Sequence, residues 1–179
     1  MSEERKHYRP NWDDYFMAIV KVVATRANCD RLYAGAVLVK DNRIISTGYN
    51  GAPPKMPQCN EVGHLLEEGH CVRTIHAEHN ALLQAAVLSG TSTVGSILYV
   101  KYSPCIHCAK YIIAAGVKRV VMAKVYRNSK AVDYLKEGGV QVDTYKENKE
   151  WNDELLDIFK EDIPDRVNQG DIKMNEKIN

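Results

Sequence analysis

The sequence predicts an α/β protein, a three-layer α/β/α domain around one mixed, mostly five-stranded sheet. Three observations carry that prediction. The chain has 179 residues, the length of one ordinary domain. Its 45% hydrophobic and 26% charged residues are the balance of a globular protein with a core to bury. From Ser96 onward, short β-rich runs alternate with helix-length segments, the pattern of parallel strands joined by right-handed crossovers.

Taken in order, Trp12–Ala27 reads as an amphipathic helix, with Trp12, Tyr15, Phe16, Ile19, Val20 and Val23 recurring at three and four. Tyr33–Val39 and Arg43–Tyr49 are β-rich runs around the turn residues Lys40–Asn42, an antiparallel hairpin. Asn50–Arg73, broken by Gly51, Pro53, Pro54, Pro57, Gly63 and Gly69, is a long loop of the kind that carries function. Thr74–Ser89 is a helix with Thr74 as N-cap and Gly90 as its stop.

Strand Ser96–Tyr102, helix Cys105–Ala115, strand Lys118–Lys124, helix Ser129–Glu137 and strand Val140–Tyr145 complete the sheet. The expected organisation is a single domain over 1–179. Its core covers about 11–145, a terminal helix about 150–160, and a frayed polar tail about 165–179.

Lys and Arg number 24 against 23 Asp and Glu, so no global positive field invites a nucleic-acid backbone. A small substrate is favoured. The charged N-terminus and the lack of an apolar run of about 18 residues point to a cytoplasmic protein without a membrane span. Five cysteines without a secretory signal favour metal binding or catalysis over disulfides.

The strongest motif is His76-Ala77-Glu78, followed 29 positions after His76 by Cys105 in Pro104-Cys105-Ile106-His107-Cys108. One imidazole and two thiolates give zinc three ligands and leave the fourth tetrahedral position open, as catalysis requires. Ser103 is read as N-cap, which places Cys105 and Cys108 on one face of a first helical turn, where the dipole favours thiolates. Glu78 is expected to share the pocket and to act as the acid/base that takes and returns a proton. Alone, Cys105-x-x-Cys108 would suit a redox pair or half of a structural zinc site, and His79 and His107 are read as packing or surface residues.

These residues, with Cys29, Val37–Val39, Gly48-Tyr49-Asn50-Gly51, Gly69–Ile75 and Asn80-Ala81, resemble the deoxycytidylate (dCMP) deaminases of bacteria and phages. Those belong to the cytidine deaminase superfamily, and the resemblance covers roughly residues 11 to 145. It implies the cytidine deaminase-like fold and zinc-dependent hydrolysis of dCMP to dUMP and ammonia, which supplies dUMP for thymidylate synthesis. Attack falls on C4 of the base while Glu78 protonates N3 and then the departing amine.

Backbone groups of Ala77 and of Ser103, Pro104 and Cys105 would meet the base edge, and Asn50 the sugar. A monophosphate also needs donors, for which Arg26, Tyr126 and Arg127 are the candidates. The same resemblance implies an allosteric site at Gly48, Tyr49, Asn50 and Gly51, activated by dCTP, where Mg2+ would accompany the nucleotide, and inhibited by dTTP, in a hexamer. It further implies a second, structural zinc, for which Cys29, Cys59, His70 and Cys71 are chosen, with His64 the alternative to His70. Rival readings are a tRNA adenosine deaminase, a free cytidine deaminase, or a noncatalytic zinc-stabilised nucleotide-binding protein linked to competence.

Overall fold

The structure is a computed structural model that describes residues 9–126 and 129–160, apart from the side chains of Leu88 and Ser89. The chain divides into two units, one of Pro10–Glu147 and another whose described residues are Arg9 and 148–160. The expected core, 11–145, falls within the first. The second carries helix α6, Lys149–Lys160, whose start Asn148 caps by accepting from the Trp151 N–H. Arg127 and the expected tail at 165–179 lie outside the described residues.

In the first unit, α1 (Trp12–Ala24) starts where Asn11 Oδ1 accepts from the Asp14 N–H at 2.8 Å, an ordinary N-cap. It ends three residues before the expected Ala27. Thr25, Arg26 and Ala27 instead donate three residues back, the tightened bonds of a fraying helix end.

The hairpin β1 (Gly35–Lys40) and β2 (Arg43–Tyr49) is antiparallel as predicted, and the turn places Asp41 and Asn42 at positive φ. β1 also pairs antiparallel with β5 (Ile97–Tyr102). From there β5, β6 (Arg119–Lys124) and β7 (Gln141–Thr144) run parallel, giving the order β2-β1-β5-β6-β7. The mixed five-stranded sheet is therefore present, antiparallel on one side of β5 and parallel on the other.

Strand alternation builds the layers. Val37, Val39, Tyr99 and Val121 face α1 residues Phe16, Met17 and Val20. Ala36, Leu38, Leu98, Val100, Val120 and Met122 face the opposite side, where α3 (Ala77–Gln84), α4 (Ile106–Ala114) and α5 (Lys130–Glu137) pack. Gly48 in β2 allows α3 to sit close: a Cβ there would lie 2.2 Å from Ala77 O and 2.4 Å from Ala81 N. Backbone cannot yield as a flexible side chain can, so the sheet and the start of α3 are locked together at this residue.

The long loop is partly ordered into short elements. A single helical turn, α2 (Cys59–Val62), is held by a capping box between Gln58 and Glu61. The two-residue strands β3 (Leu66–Glu67) and β4 (His70–Cys71) form a miniature hairpin around Glu68 and Gly69, both at positive φ.

Candidate active site

Two helix starts and the ends of two parallel strands converge on one cavity of about 1330 Å³. This is where ligands sit in open α/β sheets, beyond the carboxyl ends of the strands. Both helix starts are displaced from their expected positions. His76, not Thr74, is the N-cap of α3, in extended conformation with φ −67° and ψ 152°. The preceding Ile75 is tied by a pair of backbone hydrogen bonds to Gly51, which holds it out of the helix.

Likewise Cys105, not Ser103, is the N-cap of α4. The Ser103 hydroxyl is engaged elsewhere, accepting from the Tyr126 N–H at 2.7 Å and so tying the end of β5 to the loop after β6. The consequence is favourable for metal binding. With His76 and Cys105 both at N-caps, their side chains leave the helices at the corner where the helices meet.

His76 Nδ1 lies 3.5 Å from Cys105 Sγ and 3.5 Å from Cys108 Sγ. Zinc–sulfur bonds of ~2.3 Å and zinc–nitrogen bonds of ~2.0–2.1 Å at a tetrahedral angle separate N and S by roughly 3.5 Å. Both nitrogen–sulfur separations thus match the edges of a zinc tetrahedron, and the donors' chemistry fits that metal. Cys108 is buried, Cys105 half-buried and His76 exposed, so the triad opens toward the cavity. Hydrogen bonding from Cys108 and His76 holds the Cys105 thiol well below its ordinary range, against the effect of burial.

Glu78, in the first turn of α3, is buried at 8% exposure and lines the same cavity. Burial pushes its carboxyl up to about 7, with the His76 charge opposing and the Cys105 charge adding to the rise. A carboxyl titrating near neutrality can both accept and deliver a proton.

Of the other residues singled out from sequence, Ala77, Ser103, Pro104, Asn50 and Tyr126 line this cavity. Asn50 is buried and braces the wall: its Oδ1 accepts from the Ala34 N–H at 2.9 Å and its Nδ2 donates to Leu32 O at 2.7 Å. Arg26 is exposed and is not part of the lining. Sequence reasoning missed Arg31 and Lys130, the cavity's Arg and Lys among the described residues. Lys130 was in principle findable, since it opens the helix that follows a parallel strand. His79 and His107, set aside as packing or surface residues, also border the cavity, His79 stacked on Tyr111 with ring centroids 4.4 Å apart.

Gly48, Tyr49 and Gly51 do not line the cavity but brace the helix behind it. Gly48 meets Ala77, Tyr49 O accepts from Asn80 Nδ2 at 3.0 Å, and Gly51 pairs with Ile75.

A second cluster joins Cys29, Cys59, His64 and Cys71, whose donor atoms all lie within 4.8 Å of one another. Cys59 Sγ is 3.6 Å from Cys71 Sγ, and Cys29 Sγ is 3.7 Å from His64 Nδ1. The fourth member is His64 rather than the expected His70. His70 and Cys71 are successive residues of β4, so their side chains leave opposite faces, and only Cys71 can point inward. Burial pushes the Cys71 thiol up, but hydrogen bonds from the Arg73 backbone, His64, Cys59 and Leu65 outweigh it and bring it to about 7.

Residues 10–124 match the cytidine and deoxycytidylate deaminase zinc-binding region. Over 136 residues the chain is 43% identical to ComE operon protein 2 of Bacillus subtilis (strain 168), across 75% of this chain and 71% of that one. It is 38% identical over 149 residues to the deoxycytidylate deaminase of Schizosaccharomyces pombe, across 77% of this chain. The match covers 45% of the yeast protein, so the chain spans less than half of that relative. A crystal structure of dCMP deaminase from the cyanophage S-TIM5 in complex with dCMP and dUMP is similar at a TM-score of 0.69 and 33% identity. That similarity covers 78% of this chain and 100% of the phage chain.

Proposed function

The chain belongs to the cytidine and deoxycytidylate deaminase family, and from that premise we propose that it hydrolyses dCMP to dUMP and ammonia in the cavity beside His76, Cys105 and Cys108. The observation that carries the proposal is the pairing of a three-donor, open zinc geometry with a buried carboxylate two residues from the histidine, in a chain similar to a dCMP deaminase solved with dCMP and dUMP. His76, Cys105 and Cys108 would hold the zinc. Zinc, when bound there, supplies the Lewis acidity that makes water a nucleophile near neutral pH.

The chain's own groups do the rest. Glu78, buried and raised toward neutrality, takes one proton from the attacking water and delivers it to N3, then takes the second from the hydroxyl newly joined to C4 and delivers it to the amine that leaves as ammonia. Backbone groups of Ala77 and of Ser103, Pro104 and Cys105 hold the base edge. Asn50, fixed by its bonds to residues 32 and 34, has a second amide hydrogen to offer the sugar. With Arg26 outside the lining, the phosphate falls to Tyr126 with Arg31 or Lys130.

The second cluster, with four donors and no open position, is proposed as a closed structural zinc site that braces the irregular 50–73 segment. Regulation by dCTP with Mg2+, and by dTTP, is proposed at Gly48–Gly51. Its support is that this segment braces the helix carrying Glu78. Hexameric assembly and a cytoplasmic location belong to the same reading. Among the described residues no helix is long and apolar enough to cross a membrane.

One second reading, a noncatalytic zinc-stabilised nucleotide-binding protein linked to competence, takes its support from nothing more than the operon name of the similar ComE operon protein 2. The burial of Glu78 beside the donors counts against it, because a purely structural site has no use for that carboxylate. The test is ammonia release from dCMP, CMP, deoxycytidine and an adenosine stem-loop, with and without a chelator. Chelator-sensitive release from dCMP is expected. Release from the stem-loop alone, or from none of the four, would overturn the proposal.

A further inference from the structure

In the four-donor cluster, His64 is gripped at both ring nitrogens by two consecutive residues. Nδ1 lies 3.7 Å from Cys29 Sγ, and Nε2 lies 3.0 Å from Asp30 Oδ1. A turn at 29–32, closed by the Leu32 N–H on Cys29 O, lets neighbouring side chains converge on one ring. An extended strand would send them to opposite faces.

The chemistry of the two contacts differs. A neutral imidazole carries one proton, and only its other nitrogen has a lone pair to give a metal. An ionised carboxylate accepts and cannot donate, so a partner at 3.0 Å requires the proton on Nε2. Nδ1 is then left bare, facing the sulfurs of Cys29, Cys59 and Cys71. Resting on the reading of this cluster as a closed zinc site, we infer that Asp30 is its positioning residue. It sets the His64 tautomer and the angle of the ring.

Folding stability does not account for the contact. The Asp30 side chain is 75% exposed, and an exposed carboxylate–imidazole pair contributes little to stability. Its use lies in presenting the donor. Cys29 supplies one ligand and Asp30 orients another, so two adjacent residues commit the loop after α1 to the same centre. That loop also runs on to Leu32 and Ala34, which Asn50 holds against the cavity wall.

The experiment uses the full-length, gently purified protein, with zinc counted per chain and its affinity measured by competition with a chromogenic zinc chelator. The native chain should hold two zincs. Asp30→Ala should weaken one of them by about 10–100-fold while leaving the melting of the metal-free chain unchanged. Asp30→Asn, which keeps an acceptor oxygen but not the charge, should fall between.

In a His64→Cys background, Asp30→Ala should cost nothing further, because a thiolate has no tautomer to set. Native affinity in Asp30→Ala, or an equal loss in the His64→Cys background, would overturn the role of Asp30 and leave the closed site standing. A native count of one zinc would overturn the closed site itself, and the inference with it.

Discussion

Two donor clusters border one cavity, and they differ in every respect that separates a reactive metal centre from a brace. The His76 cluster has three donors, an exposed histidine, and a buried carboxylate beside it. Its ligands stand at the starts of α3 and α4, helices packed directly on the sheet. The Cys29 cluster has four donors, the number that fills a closed tetrahedral zinc site. Its ligands come from a turn, a single helical turn, the loop that follows it and a two-residue strand, segments too short to hold their own shape. Rigid elements present a ligand set with a vacancy to be used for chemistry. Irregular segments present a full set and, on the proposed reading, would gain their order from the metal.

The largest expected effect separates the two clusters by turnover. Cys108→Ser should lose the metal of the three-donor site and lower dCMP turnover by more than about 10³-fold, since the activation of water is worth several kcal/mol. The remaining zinc should still be counted in the purified variant. Equal turnover losses in Cys108→Ser and Cys71→Ser would erase the distinction.

Next comes Gly48→Ala. Its added Cβ would meet backbone atoms of Ala77 and Ala81 at 2.2 and 2.4 Å, so α3 must move and carry His76 and Glu78 with it. A destabilisation of ~2–3 kcal/mol and a turnover loss of about 10-fold or more are expected, read by denaturant titration and steady-state kinetics. Wild-type kinetics would show that α3 tolerates displacement.

Cys71→Ser should act in the opposite proportion. The melting temperature should fall by roughly 5–10 °C, following loss of a structural metal. Turnover measured well below that temperature should fall by less than about tenfold, an effect on the cavity wall rather than on the chemistry.

The smallest effect on turnover lies across the sheet. There Arg119 donates to both oxygens of Asp13 at 2.9 and 2.7 Å, and Tyr99 donates to the same carboxylate at 2.7 Å. Hydrogen bonding from Arg119 holds the Asp13 carboxyl below its ordinary value, against burial and with help from Tyr99. A depressed folded-state pKa gives stability that is full above the unfolded value near 3.9 and is lost as pH falls through the folded one. Asp13→Asn should therefore cost ~1–3 kcal/mol at neutral pH, flatten the acid limb of the stability profile and leave dCMP turnover near native. An unchanged acid limb would contradict the assignment.

The two clusters also differ in how well the sequence announces them. His76, Glu78, Cys105 and Cys108 occupy two tight motifs whose spacing within a helical turn already implies a shared pocket. Helix starts were less legible. Ser103 and Thr74 have favourable capping side chains, but Ser103 is captured by the Tyr126 amide and Ile75 by Gly51, contacts that only the fold supplies.

In the second cluster the three cysteines were recognisable by type. The choice between His64 and His70 depends on strand alternation in β4, an element of two residues that no periodicity reveals. Arg31 escaped notice because surface cations carry no spacing rule, whereas Lys130 had a positional signal at the start of the helix after a parallel strand. The sheet itself was legible because its strands are long enough to show apolar runs and turn residues bound most of them.

The most direct test of the division of labour is Glu78→Gln, with zinc content and dUMP formation from dCMP measured on the same preparation. Both metal sites keep all their donors in that variant, and only the proton carrier is removed. Two zincs per chain, with turnover reduced by about 10²–10⁴-fold, is the predicted result. Turnover at the native rate with the zinc in place would contradict it.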